Sequence, residues 1–321
     1  MIREFLTKNG PYIKTTNTKL KIANQLFLTL GIIQIINIII NFKNIFSILL
    51  ITIILPLLTI TIEYSYNTII KHNNKSIDYY IKETNSHILG LLLAIIIPVT
   101  TPIYISVIAG IVATFSKIII KHNGKNIISP AIIGIITVIL LSFLININLS
   151  FITFESFKTN ILASLIGINA FSETSIIPLI VSFYLIYKQN IKYIIPITII
   201  ITIFIVALIS TLITNQEITY VIYLTTTSSI IFSSCFLATD SITSPITKAS
   251  QFIYGFIIAI ITILLQNIFN VFGSIYFAIL FANLLVPILN NLGIKIKYNK
   301  IYLYITIIIT ILITIVTSII I

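Results

Sequence analysis

The chain has 321 residues, 58% of them hydrophobic and only 8% charged, and its mean hydropathy is +1.12. These values exclude an ordinary soluble domain. The net charge of +11 does not point to nucleic acid, because the basic residues are scattered over short loops between apolar runs, the orientation pattern of membrane proteins.

The chain opens on a basic segment ending at Lys21, followed by an apolar run long enough to remain as a spanning helix, so no cleavable leader is expected. Runs of about 20 apolar residues read as spans. They are expected at 22–41, 44–62, 84–98, 102–120, 130–147, 161–187, 193–214, 219–236, 251–268, 272–290 and 301–321. The chain is thus expected to be a single multi-pass, all-α membrane domain. With the N-terminus placed in the cytoplasm, 17 of the 19 basic residues fall on inside segments, leaving Lys43 and Lys158 outside. That asymmetry sets the expected orientation.

Two spans carry polar breaks. The third ends LLLAIIIPVTTP, from Leu91 to Pro102, and the eighth runs into FLATDSITSP, from Phe236 to Pro245. Both pass from Leu-Ala to hydroxyls and proline. An aspartate at a helix centre costs roughly 2.5–3.5 kcal/mol on insertion scales, so such a break is tolerated only inside protein or beside a wet cavity. Interrupted segments at matching places in two halves predict an inverted repeat, with a site where the breaks meet near the midplane. On this reading Thr239, Asp240, Thr243 and Ser244, with Pro245, mark that site. Asp240 either caps a neighbouring half-helix, binds a cation or holds a polar group of a cofactor. Glu173, in the sixth apolar run, reads as a proton or cation waypoint or as a structural hydrogen-bonder. Lys117 is expected to snorkel to lipid headgroups, and Asn126 to shape the turn after the fourth span.

Cys235 is the single cysteine, which leaves no internal disulfide. His72, His87 and His122 lack ligand spacing and read as loop histidines. No glycine-rich phosphate loop or dinucleotide fingerprint occurs, so this chain is not expected to bind NAD itself.

Several motifs in order carry a resemblance: PYIK (Pro11 to Lys14), LGLLLAIIIP (Leu89 to Pro98), Lys117 with GKNIISPA (Gly124 to Ala131), ETS (Glu173 to Ser175), FLATDSITSP with Gln251, Tyr254 and Gly255, and FAILFANLLVP (Phe277 to Pro287). Together they resemble the D subunit of the Rnf electron-transport complex, related to the B subunit of the sodium-pumping NADH:quinone reductase. The resemblance covers roughly residues 11–291. It implies about ten helices in two inverted five-helix halves, with 301–321 as an additional C-terminal helix. It also implies a membrane flavoprotein subunit of an ion-translocating oxidoreductase in the bacterial inner membrane. Such a complex couples ferredoxin and NAD redox chemistry to sodium or proton movement, and its sister subunits would be the partners, with no nucleic acid involved. The implied cofactor is FMN, with riboflavin as a further flavin.

In that family an outside Ser-Gly-Ala-Thr bears FMN on its threonine. The nearest match is SFKT, Ser156 to Thr159, making Thr159 the candidate attachment residue. The glycine and alanine are replaced by Phe157 and Lys158, which are expected to obstruct a modifying enzyme. Asn126, Thr239, Asp240, Thr243 and Ser244 are the other candidate flavin contacts, and Glu173 and Asp240 the candidate ion pathway. A stand-alone solute channel or carrier, or a degenerate scaffold subunit, remains an alternative with the same architecture.

Overall fold

The computed structural model describes residues 19–70, 72, 76, 81, 84–122, 125–147, 149, 153–166, 175–215, 217–298 and 310. The expected additional helix at 301–321 lies outside them apart from residue 310.

The described chain is all-helical apart from one two-residue hairpin. Helix α1 (Lys19–Ile40) is followed, after one 3-10 turn, by α2 (Ile45–Ile69). Next come α3 (Ser86–Ile96), α4 (Ile103–Ile119), the ladder of β1 (Lys121–His122) with β2 (Lys125–Asn126), and α5 (Pro130–Leu144). The short helices α6 (Phe154–Thr159) and α7 (Ile161–Ile166) precede α8 (Ile176–Tyr187) and α9 (Ile194–Thr214). Helix α10 (Ile218–Thr226) leads to α11 (Ser228–Phe232), which runs into a π-turn, Ser233–Leu237. The final described element is α12 (Lys248–Tyr298). Among the described residues, five helical segments are long and apolar enough to cross a membrane, two of them within α12, and α10 with α11 and its π-turn forms a sixth candidate bent by 42°. The chain is a multi-pass membrane protein.

Local chemistry sets several of these boundaries. Pro130 opens α5 at the position where its missing N–H costs nothing. A capping box between Thr153 and Ser156 starts α6. Asn215 ends α9 in the left-handed region, at φ 54°.

Helix α12 is not one straight rod but two helical arms. Tyr254 Oη donates to Asn283 Oδ1 at 2.6 Å, 29 positions away. A straight helix would separate those residues by about 43 Å. The chain therefore doubles back between the arms Lys248–Gln266 and Phe272–Ile296, as the ninth and tenth expected spans require.

The expected span at 161–187 is not one helix. The backbone N–H and the hydroxyl of Ser175 both donate to the carbonyl of Leu165, ten positions back. A continuous helix would hold them about 15 Å apart. The sequence carries a polar run at 172–175, Ser-Glu-Thr-Ser, inside this otherwise apolar stretch, and apolar composition alone overran it. Glu173 lies outside the described residues.

Contacts sort the bundle into two ends. Phe27, early in α1, meets the ring of His87 at the start of α3, with centroids 4.9 Å apart. Asn190, in the turn before α9, donates to Gln25 of α1 at 2.6 Å. Lys21, Lys117, Lys121, Lys125, Lys188, Lys192, Lys248 and Lys295 all belong to this Lys-rich end, and Lys43 and Lys158 to the other. His87 is thus a helix residue packed on Phe27, not a loop histidine.

The core runs through α3, α5, α9, the α11 turn and α12, with Tyr254, Tyr276, Phe157 and Phe232 among its largest fully buried side chains. Lipid chains are as apolar as leucine, so close helix approach rather than hydrophobicity holds such a bundle together. Gly90 of α3 lies directly on the backbone of Pro56 in α2, and Gly255 of α12 lies on Ile195 and Thr198 of α9.

Candidate functional site: polar clusters at the Lys-rich end

Ser86 at the start of α3 and Lys117 at the end of α4 meet at 2.9 Å. The pair is therefore a hairpin whose turn, 97–102, points to the opposite end. The loop 238–247 lies at the Lys-rich end, tied there by Lys192. The two breaks flank different ends of α1. Gln25 contacts the turn that carries Lys192, whereas Asn37 shares a cavity wall with Ile97 and Val99. Twelve helical residues separate Gln25 from Asn37, about 18 Å along the axis. The expectation that the two breaks meet is therefore overturned. Two halves of opposite orientation would place their corresponding turns at opposite ends in this way.

The first cluster binds α2, α3 and α4 together. Lys117 Nζ donates to Glu63 Oε2 at 2.8 Å, to the Thr84 carbonyl at 2.8 Å and to Ser86 Oγ at 2.9 Å. The hydroxyls of Ser86 and Thr84 also donate to Glu63 Oε2. The two charged side chains retain only 13% and 6% of their exposure. Lys117 therefore does not snorkel to headgroups. Its ammonium is spent on an internal carboxylate, because unpaired burial of either charge would be costly. Glu63 was not singled out from sequence. Its signal was available: it is the one acidic residue inside the apolar run of α2.

The second cluster surrounds the 238–247 loop. Lys192 Nζ donates to Ser244 Oγ at 2.7 Å, to the Pro245 carbonyl at 3.1 Å and to the Ser244 carbonyl at 3.2 Å. Asp240 Oδ1 accepts from the N–H of Ile242 at 3.3 Å, and Oδ2 from Thr243 Oγ1 at 3.1 Å. Asp240 thus caps its own turn and not the start of α12. Burial pushes its carboxyl above the usual range, and the Ile242 and Thr243 bonds and the Lys192 charge pull the other way. Burial likewise lowers Lys192, against the attraction of Asp240. The Thr239 hydroxyl donates to the carbonyl of Cys235 within the π-turn, and that of Ser244 to the Asp240 carbonyl. Asp240, Thr243 and Ser244 form one polar turn clamped by a lysine, with Thr239 turned back into the helix before it. The far arm of α12 closes the loop through Asn290 Oδ1, which accepts from the N–H of Ile246 at 3.0 Å.

Asn126 stands apart from that loop. It pairs with Lys121 in the short ladder, and its Oδ1 is buried without a partner among the described residues. Thr159 lies at the opposite end of the bundle. It is exposed at the end of α6, with its hydroxyl donating to the Ser156 carbonyl at 2.9 Å. Phe157 is buried against Tyr223, at 5.5 Å between centroids, and so does not obstruct that surface. Lys158 pairs with Glu217 just before α10. No group of three or more metal-ligating side chains occurs among the described residues.

A search of curated proteins found no match. The profile of the NQR2, RnfD, RnfE family matches residues 6–299. That stretch contains both polar clusters, both broken hairpins and the Thr159 surface. The chain belongs to the NQR2, RnfD, RnfE family, membrane subunits of Rnf- and Nqr-type complexes.

Proposed function

We propose that this chain is the D-type subunit of an Rnf complex, passing electrons through flavin while its complex couples ferredoxin and NAD chemistry to sodium or proton movement. The family match over residues 6–299 carries this reading. The Lys-rich end faces the cytoplasm, by the rule that cytoplasmic loops collect lysine and arginine. Sister subunits of the complex cover part of the apolar outer surface, and the membrane is the bacterial inner membrane.

The residues around Thr159 suit FMN in chemical type. The threonine hydroxyl is exposed, and the neighbouring Lys158, now paired with Glu217, would meet a phosphate by leaving that carboxylate. Phe154 and Tyr220, 5.2 Å apart, offer aromatic surface nearby. FMN bound there would supply an electron carrier. The chain's own part is to present the hydroxyl on a capped helix and hold Phe157 out of the way. The Thr159 hydroxyl, which now donates to the Ser156 carbonyl, is the atom that would carry such a group. Asp240, Thr243 and Ser244 offer polar contacts for a second flavin or a coupling ion at the cytoplasmic end, and Glu173 and Asp240 are the acids of the ion pathway.

The test is a flavin assay on the intact complex, followed by mass analysis of the peptide that holds Thr159. FMN on that peptide, lost in Thr159→Ala, is the expected result. An unmodified peptide in a fully assembled complex rules out covalent attachment. Solute flux through the isolated chain in liposomes, without an electron donor, would instead establish the carrier reading.

A further inference from the structure

We propose that Gln34 and Asn37 of α1 hold a buried water molecule in a notch between α1, α2 and the end of α3. The two carboxamides lie three positions apart, on one face of the helix. Gln34 is 4% exposed and Asn37 1%. Gln34 Oε1, Asn37 Oδ1 and Asn37 Nδ2 are all buried without a hydrogen-bond partner among the described residues. The same two side chains line a cavity walled by Ile48 and Ile51 of α2, Ala94 of α3, and Ile97 and Val99 of the following bend.

An unpaired amide in an apolar surrounding is costly unless it finds a partner. The cavity has room for about one water, and a buried water takes two to four polar partners. Two acceptors and one donor are what the notch offers. Turning the Asn37 amide over exchanges its oxygen and nitrogen without changing that inventory. The ligand is neutral. Among the described residues no carboxylate lines the notch, so a cation would arrive with its charge uncompensated, and Asn37 Nδ2 is a donor there. A donor beside two acceptors suits a molecule that both donates and accepts.

The site also explains why two carboxamides persist in a helix otherwise free to be apolar at these positions.

Hydroxyl-radical footprinting of the full chain in membranes tests this, because radicals formed from a bound water modify the side chains around it. Ile48, Ile51 and Val99 should be modified above the level of Ile53, which faces outward on the same helix as the first two. The Gln34→Leu/Asn37→Leu double variant should lose that excess. If the double variant does not fold, the wild-type comparison with Ile53 still decides. Modification no greater than at Ile53, or an excess that persists in the folded double variant, overturns the proposal. Replacing choline with sodium in the buffer should leave the pattern unchanged; a sodium-dependent loss would mean that a cation occupies the notch, and would overturn it too.

Discussion

Lys117 and Glu63, 54 positions apart in the chain, meet at 2.8 Å between α4 and α2. Ser86 bridges the same two groups from α3. One ion pair thus fixes three helices of the first half at its Lys-rich end. Its value lies in mutual compensation, since each charge alone would sit uncompensated in an apolar setting.

Removing one partner should therefore be worse than removing both. Glu63→Gln and Lys117→Met are each expected to lower stability by roughly 3–5 kcal/mol. The double variant should lose clearly less than the two single losses added together. Thermal unfolding of the four proteins in one detergent gives the cycle. Additive losses would mean that the two residues act independently.

The sequence and the structure agree where long apolar runs decide the matter. The spans of α1, α2, α9 and both arms of α12 follow from length and composition. The alternation of lysine-rich segments also foretells which ends lie together. What escaped were pairings between distant positions. Nothing local in the sequence joins Glu63 to Lys117, so a lysine at a helix end reads naturally as a snorkelling residue. The polar breaks were visible but their relation was misjudged, because similarity of two turns does not say which end each occupies. Asp240 was recognised as special, yet its clamp, Lys192, sits in a different turn and looks like an ordinary loop lysine.

The Asp240 turn should leave a trace in the pH dependence of stability. Burial raises the carboxyl above its ordinary value of about 3.8. The folded state then binds a proton that the unfolded state has already released. Stability therefore falls as pH climbs from about 3.8 through the raised value. Unfolding of the wild type across this acid range should show that slope relative to Asp240→Asn, which has no carboxyl to titrate. Parallel curves for the two proteins would contradict the assignment.

At the other end, the Lys158–Glu217 pair is fully exposed and works differently. Hydrogen bonding to Lys158 lowers the Glu217 carboxyl, and the same bond raises the Lys158 ammonium. Its contribution is present above the ordinary glutamate value and is lost as pH falls through the lowered one. It is lost again as pH rises through the raised lysine value. Surface pairs are weak and screened by salt. Lys158→Met should thus leave thermal stability nearly unchanged at moderate salt. A large loss would show that the lysine supports the α6 surface in some further way.

The α12 hairpin rests on a bond of another kind. Tyr254 and Asn283 are both fully buried, and Asn283 Nδ2 is without a partner among the described residues. Tyr254→Phe removes the donor from Asn283 Oδ1 and leaves the amide unsatisfied at both ends. The expected loss is about 1–3 kcal/mol. Replacing both by Phe and Leu should recover part of it, since no polar atom is then stranded. Calorimetry or thermal unfolding distinguishes the two variants. A Tyr254→Phe protein as stable as the wild type would mean that the hairpin is held by side-chain contact alone.

Glycine contacts give the sharpest contrast. A methyl group on Gly90 would lie 2.5 Å from Pro56 Cα and N. Those are backbone atoms inside α2, so α3 itself must move away from α2. The Ser86 end of α3 is bonded to Glu63 and Lys117 and resists that shift. Gly90→Ala is therefore expected to cost at least the ~1–3 kcal/mol typical of overpacking, and to disturb the ion-pair cluster with it. At Gly31 in α1 nothing stands within 4 Å of the added methyl. There the change only lowers the entropy of the unfolded chain and favours the helix, a gain of about 0.8–1 kcal/mol on peptide scales. Opposite signs from the same substitution in two helices are the expected outcome of thermal unfolding. If Gly90→Ala proved neutral, the close seat of α3 on Pro56 would be wrong, and with it the reason these two helices share one ion pair.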